Sequence, residues 1–378
     1  MNRFALSGAR ILSRGSWLDD HAVIVDGALI ESVIPITALD PAIAIQRLGG
    51  GALVPGFIDT QVNGGGGVLF NDAPTVEGIR TIAAAHRIFG TTAMLPTLIS
   101  DDLDKVAQAI AAVDEAIAGG VPGIIGIHIE GPFLNAAKRG IHDAAKFRTL
   151  DADAVALLSS LKHGKTLVTL APELAPSGMI AALVERGVIV AAGHSLASYD
   201  DMQRAIAEGL SGVTHLFNAM TQMEGRAPGV VGAALEGDLF CGIIADGHHV
   251  HGPALRAAYR ALGAERLMLV TDAMPSVGTT LTSFTLGAEE IKLEDGALRG
   301  ADGTLAGSHL DMAGAVQNAM SMLRIDQLVA SSMTNKTPAH FMGLQDTYGD
   351  ISDGYRANLT HIDNNGRVQA TWISGRPA

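Results

Sequence analysis

The sequence predicts an α/β fold: a (β/α)8, TIM-like barrel carrying a small β-sandwich domain built from both chain termini. Three observations predict it. Short continuous apolar runs alternate with amphipathic stretches through the middle of the chain. Polar residues recur just beyond those runs. Both ends of the chain carry strand-like segments punctuated by turns.

The first fifty residues hold apolar or β-branched runs at 9–12, 21–25 and 29–33, separated by turn signals such as Asp26-Gly27. The C-terminal end has the same texture, with runs at 357–362 and 368–373 flanking Asn364-Asn365-Gly366, a hairpin turn sequence. Neither end shows a helical period. A β-segment this small needs partners to bury a face, so the two ends are expected to form one domain, 1–53 plus 345–378. Residues 54–344 form the barrel. Its eight apolar runs are 54–60, 92–97, 124–129, 167–171, 188–192, 212–217, 240–245 and 266–271. Between them lie helical patterns. Leu103, Val106, Ile110, Val113 and Ile117 recur at three and four, as do Val76, Ile79, Ile82 and Phe89. Continuous apolar strands alternating with helices are parallel strands buried on both faces, and eight in about 250 residues is the barrel's count. An open doubly wound sheet would carry a Gly-rich phosphate turn after its first strand. Gly64-Gly65-Gly66-Gly67 lacks that spacing and reads as a flexible turn.

Composition narrows the function. The net charge is −13, from 26 basic and 39 acidic residues, and only 10 Phe, 4 Tyr and 2 Trp are present. A nucleic-acid groove or polybasic membrane surface needs the opposite balance. A small anion held by a local Arg/His cluster remains compatible. The single cysteine, Cys241, forms no intrachain disulfide and no Cys zinc cluster, which fits a cytoplasmic protein. No apolar run reaches membrane-spanning length, and Arg3, Arg10 and Arg14 enclose no secretory apolar core.

Chemistry-bearing residues fall after the strands: Gln61 and Asn63, Glu130, His194, His215, Asp246 and Asp272. In a barrel these ends share one mouth, where active sites sit. Two imidazoles and a carboxylate, His194, His215 and Glu130, suit a divalent ion with a fourth position left for water. Taken singly, each reads as a hydrogen-bonded structural residue; their joint alignment favours ligation. Asp272 is the candidate general base, which would take a proton from the attacking water and return it to a leaving nitrogen. Its bland alternative is a barrel-mouth ion pair, and Ala245-Asp246-Gly247 could be a simple turn. His248, His249 and His251 point apart on a loop, so contact of one with substrate is favoured over a second metal site. Lys138, Arg139, His142 and Arg226 offer positive charge for an anion.

Pro55-Gly56-Phe57-Ile58-Asp59 resembles the barrel entry of the amidohydrolase superfamily. His128-Ile129-Glu130-Gly131-Pro132-Phe133, Ala192-Gly193-His194-Ser195, Thr214-His215-Leu216-Phe217-Asn218-Ala219-Met220 and Thr271-Asp272-Ala273 follow in order. Together they resemble the N-acetylglucosamine-6-phosphate deacetylase family over nearly the whole chain. The resemblance implies metal-dependent hydrolysis of the acetamide of a 6-phosphorylated amino sugar. It implies Glu130, His194 and His215 as metal ligands and Asp272 as base and then acid. Gln61-Val62-Asn63 replaces the superfamily's His-x-His pair, which implies one divalent ion per subunit and a Gln61 that hydrogen-bonds a water on the metal. Zinc is the default ion, with iron, cobalt or manganese admitted. Substrate contacts carried over by motif are His142, Asn218, Ala219, His249 and Arg226, the last reaching the phosphate across a homodimer interface. The sequence departs from the family at Ala227, where an acid is usual, and at His309 and Asp311, which replace small hydroxyl residues. Rival readings are the galacto-epimer of the substrate, a cyclic-amide hydrolase or deaminase, and a catalytically inactive sugar-phosphate-binding protein.

Overall fold

A computed structural model describes residues 3–378. Eight strands form one sheet in sequential order: β1 (Phe57–Val62), β2 (Thr91–Ile99), β3 (Gly126–Glu130), β4 (Lys165–Leu170), β5 (Ile189–Ala192), β6 (Gly212–Val213), β7 (Phe240–Ile243) and β8 (Leu267–Leu269). All neighbouring pairs are parallel. The sheet closes just beyond β8, where Ala273 pairs with Val62. There Asp272 N–H donates to Gln61 O and Asn63 N–H to Ala273 O, both at 2.9 Å. The eight apolar runs are therefore barrel strands, with one difference. The run 54–60 is broken at Gly56. Ala52–Pro55 pairs outside the barrel and Phe57–Val62 within it. A Cβ on Gly56 would lie 2.2 Å from Thr92 Oγ1, so only glycine lets β1 pass this close to β2.

The connecting helices bury the stripes their periodicity predicts. Val76–Arg87 starts on Thr75, whose hydroxyl accepts from Gly78 N–H, and buries Ile79 and Ile82. Leu103–Ala118 buries Val106, Ile110 and Val113. Inside the barrel the character changes along the strands. The floor is apolar, with Ile58, Leu95, Leu167, Phe240 and Met268 packed on Phe341. One layer up, His128 Nε2 lies 2.8 Å from Thr169 Oγ1, which lies 2.6 Å from Thr214 Oγ1. The titratable residues stand above this polar layer.

The termini form two facing sheets. One joins Arg3–Ser7, His21–Asp26, Leu29–Pro35 and Ala44–Arg47; the other joins Arg10–Ser13, Ser16–Leu18, Ala52–Pro55, Leu359–Ile362, Val368–Ile373 and Arg376–Pro377. Leu6, Val23, Val25 and Ile30 of the first meet Ile11, Leu53, Leu359 and Trp372 of the second in one core.

Two features differ from expectation. After β8 the chain forms an antiparallel sheet, Ser283–Leu286, Glu289–Glu294, Ala297–Arg299 and Leu305–Ser308, before the next helix, Met312–Ala319. Its turn signals, Asp295-Gly296 and Asp302-Gly303, were present in the sequence. In the glycine run after β1, Gly64 and Gly65 are buried in a short strand paired with Val68–Leu69, and Gly66 and Gly67 make the turn between them. Gly64 O lies 2.9 Å from His86 Nε2, and a Cβ on Gly65 would sit 2.8 Å from the same nitrogen.

Phe57 is fully buried between the barrel and its helices. Phe57→Ala is expected to cost about 3–5 kcal/mol through the cavity it leaves. Ile88→Ala, at a residue 60% exposed, is expected to cost under about 0.5 kcal/mol. Chemical-denaturation midpoints of the two variants check the contrast.

Candidate active site

Glu130 ends β3, while His194 and His215 each lie two residues beyond a strand, β5 and β6. The rim brings them together. Both His Nε2 atoms stand 3.0 Å from Glu130 Oε1 and 3.0 Å from each other. All three residues are buried, and they are the described group whose ligand atoms could hold a metal ion. His194 Nδ1 is 2.8 Å from Lys138 O. A carbonyl only accepts, so Nδ1 carries the proton and Nε2 presents its lone pair to the cluster, the tautomer a metal requires. Burial alone would raise the Glu130 carboxyl. The two imidazoles set against Oε1, His194 and then His215, outweigh this and hold it well below the usual carboxylate range.

His194, His215 and Asp272 share a further feature: positive φ, at 49°, 32° and 53°. Non-glycine residues rarely adopt this conformation, which turns each side chain inward as its strand ends.

Asp272 faces the cluster. Its Oδ1 accepts from Asn63 Nδ2 at 2.6 Å and Gln61 Nε2 at 3.2 Å; the same Gln61 nitrogen lies 3.1 Å from Glu130 Oε2. Gln61 thus ties the two carboxylates together. Burial, and then the charge of Glu130, push Asp272 up to about 6. Beneath them is Asp59, which is fully buried. It accepts from Thr271 Oγ1 at 2.5 Å and from the N–H groups of Gln61 and Thr271 at 3.2 and 3.3 Å. Burial pushes Asp59 up to about 7 despite these bonds. The sequence reading assigned Asp59 no role of its own; its position two residues before Gln61, on the same strand, was the available signal.

Around the cluster is a cavity of about 340 Å³, and His142, Asn218, Ala219 and His249 line it. His142 Nδ1 accepts from the backbone N–H of Ser100 at 3.3 Å and lies 2.8 Å from Ser100 Oγ. Burial, and after it the neighbouring His194, drive His142 down to about 3. It is therefore neutral, with its proton on Nε2, which lies 4.0 Å from Glu130 Oε1. His249 Nδ1 lies 2.6 Å from Asp246 Oδ2, while Asp246 Oδ1 caps the N–H groups of His248 and His249. Asp246 is thus more than a turn residue. Neither His248 nor His251 lines the cavity. Asn218 Nδ2 donates to His215 O at 3.1 Å.

Arg226 is not brought in. It is exposed in the turn between Glu224 and Ala227, which pair with each other, and it does not line the cavity. Lys138 is the cavity's lysine, and Arg139 stays outside. His309 Nδ1 lies 2.9 Å from Ser276 Oγ, and Asp311 caps the helix Met312–Ala319 through Gly314 N–H. Neither reaches the cavity; the nearby lining residues are Thr304, Leu305 and Gly307.

A closed parallel barrel with a Glu/His/His cluster and an acid at its C-terminal rim defines a hydrolase of the amidohydrolase class. Residues 52–378 match the amidohydrolase family model, and residues 3–53 match the NagA composite domain. The chain belongs to the amidohydrolase family. It is 45% identical to the N-acetylgalactosamine-6-phosphate deacetylase of Shewanella sp. (strain ANA-3), over 97% of this chain and 94% of that one. It is 34% identical to the N-acetylglucosamine-6-phosphate deacetylase of Haemophilus influenzae, over 99% of each. Among solved structures, the N-acetylglucosamine-6-phosphate deacetylase of Pasteurella multocida superposes with a TM-score of 0.96 at 34% identity, covering 100% of this chain and 99% of that one. A variant of the Mycobacterium smegmatis enzyme, solved in complex with N-acetyl-D-glucosamine-6-phosphate, gives 0.92 at 30% identity, with coverage of 100% and 99%.

Asp59 carries a pH prediction. Its folded-state carboxyl, at about 7, titrates above the 3.8 of an aspartate in the unfolded chain. The folded state therefore holds a proton that the unfolded chain has lost, and stability falls as pH rises through that window. In chelator-treated protein, Asp59→Asn is expected to flatten this decline. Urea midpoints between about pH 4 and about pH 7 measure it.

Proposed function

We propose that this protein hydrolyses the acetamide of N-acetyl-D-glucosamine 6-phosphate to D-glucosamine 6-phosphate and acetate. The observation that carries the reading is the Glu130–His194–His215 cluster facing Asp272 across one small cavity. The kinship with deacetylases of both N-acetylhexosamine 6-phosphates supports it.

Glu130, His194 and His215 fit one divalent ion per subunit. Their donor atoms converge within 4.8 Å, and the His194 tautomer turns its Nε2 lone pair toward the other two. The donor set admits zinc, which we take as the default, and also iron, cobalt or manganese. When bound, such an ion polarises the acetyl carbonyl and acidifies the attacking water.

The chain's own groups supply the rest. Asp272 takes the water's proton as oxygen bonds to the acetyl carbon. It then gives that proton to the nitrogen as the C–N bond breaks. Gln61, whose Nε2 is committed to Glu130 and Asp272, keeps Oε1 to orient the water. His142 directs a neutral Nε2–H donor at the acetyl group or the sugar. His249, held by Asp246, contacts the sugar. Asn218 and Ala219 meet the phosphate. Positive φ recurs at His215, Phe217 and Ala219 along this loop, where the N–H groups of Leu216 and Asn218 already donate to Gly242 O and His215 O.

One lysine is little charge for a phosphate. Arg226, exposed and outside its own cavity, is proposed to complete the site of a partner subunit in a homodimer. All these residues fall within 54–344, so we assign the chemistry to the barrel and a scaffolding role to 1–53 with 345–378. No helix of the described chain is long and apolar enough to cross a membrane. Together with the lone buried cysteine, this supports a cytoplasmic location. A second reading, the galacto-epimer as substrate, is favoured by the Shewanella relative. Parallel kcat/KM values for the two epimers decide between them.

Acetate release from N-acetyl-D-glucosamine 6-phosphate tests the main reading. We expect release that is lost on chelation, restored by a divalent ion and much weaker for the unphosphorylated sugar. No release from metal-loaded protein sinks the assignment. Asp272 must be ionised to act as base, and its value of about 6 refers to the metal-free site. A neighbouring cation lowers it, so kcat is expected to hold at neutral pH and fall only below about 6. Asp272→Asn should lose at least about a hundredfold in kcat. Mixing Arg226→Ala with Asp272→Asn chains should recover about a quarter of wild-type activity, since half the dimers are mixed and each has one complete site. Demonstrated heterodimers without recovery exclude the shared site.

A further inference from the structure

Asn63 holds an acceptor that nothing in the chain uses. It stands one residue beyond β1, is 2% exposed and lines the cavity. Its Nδ2 donates to Asp272 Oδ1 at 2.6 Å. A carboxylate only accepts, so this bond sets which end of the amide faces Asp272. Oδ1 is left turned away, buried and without a partner. Among the described residues it is the one unpaired buried side-chain oxygen that belongs to a residue lining this cavity. A buried acceptor in that state costs free energy until a donor arrives.

We propose that Asn63 Oδ1 accepts the N–H of the substrate's acetamide and makes the site selective for amides over esters. The proposal rests on the deacetylase reading above. An amide nitrogen presents two directions. Its N–H lies in the amide plane, while the lone pair that must be protonated before the C–N bond breaks stands out of that plane. Asp272 serves the second direction by delivering the proton taken from water. It cannot also accept along the first. Asn63 is already bonded to Asp272, so its Oδ1 lies one amide width from the group that protonates the nitrogen. The nitrogen leaves as an amine with its original hydrogen still directed at Asn63 and the new one from Asp272. His142 cannot play this part, because its proton is on Nε2 and it offers a donor. A neutral acceptor is also required here. An aspartate at position 63 would add a second charge beside Asp272 and raise its carboxyl further.

Binding in the Asp272→Ala background tests this, because turnover stops in every chain compared and an Asn63 amide released from Asp272 can still turn Oδ1 to an N–H donor. The probes are N-acetyl-D-glucosamine 6-phosphate and 2-O-acetyl-D-glucose 6-phosphate, which differ in one N–H. Calorimetry should find the acetamide bound about tenfold more tightly, the worth of one hydrogen bond. The preference should vanish in Asp272→Ala/Asn63→Leu. Asn63→Ala gives the same readout should leucine crowd the strand end. Equal binding of the two probes by Asp272→Ala, or a preference that survives loss of Asn63, overturns the proposal while leaving the deacetylase reading intact. Loss of bound metal on Asn63→Leu alone also overturns it, by assigning the acceptor to the metal centre. Failure of the wild-type protein to release acetate from any N-acetylhexosamine 6-phosphate overturns the deacetylase reading and this inference together.

Discussion

The hydrogen bonds that close the barrel, between the end of β1 and the segment after β8, are the constraint on which the site depends. Closure requires Asp272 N–H to meet Gln61 O and Asn63 N–H to meet Ala273 O. Once those bonds form, Gln61, Asn63 and Asp272 are adjacent whatever else the chain does. Asp59 reinforces the seam from below by binding Thr271 and the Gln61 N–H. Ser308 reinforces it from outside, with its N–H on Asp272 O and its hydroxyl on Thr271 O. The antiparallel sheet after β8 is therefore part of the seam as well as part of the rim.

That arrangement explains how strain can be kept where chemistry occurs. His194, His215 and Asp272 adopt backbone conformations that cost free energy for residues bearing a Cβ. Each is held by bonds it does not control. Asp272 is pinned by Gln61 and Ser308, His194 by the Lys138 carbonyl, and the His215 carbonyl takes the Asn218 amide. The polar layer of His128, Thr169 and Thr214 supports the rim from inside and separates it from the apolar floor. A protein of this size can carry a few such costs because the core beneath is extensive.

How far the sequence reveals this follows from which interactions are local. Barrel strands are buried on both faces, so they read as continuous apolar runs, and all eight were visible. The joint core of the termini was visible too, since strand-like ends without a helical period must pair. The break at Gly56 was hidden, because Val54 and Ile58 are both buried although they belong to different sheets. Ala44–Arg47 is exposed along its length and offered no alternation to read. At the site, the ligand cluster and Asp272 were legible because strand order alone predicts their convergence. Their supporting partners were not. The proton on His142 is placed by Ser100, 42 residues away in sequence, and that on His194 by Lys138, 56 residues away. Such pairings depend on loop paths that composition and periodicity do not encode.

Three buried carboxylates stand within this small region, and their environments separate them. Glu130 has two imidazoles on it and stays ionised, as its proposed place among metal ligands requires. Asp59 has only neutral donors and is driven up to about 7, so near neutral pH it exchanges between a charged and an uncharged clamp. Asp272 lies between them, at about 6, because its burial and the charge of Glu130 are only partly offset by His215, His249 and the Asn63 amide donor. A carboxylate placed in this way fits the proposed base, because it is ionised at neutral pH, the more so beside a cation, and can hand on the proton it takes from water. The amides at 61 and 63 help to set that balance. Imidazoles at those positions would instead offer lone pairs to a metal ion or add positive charge beside Asp272.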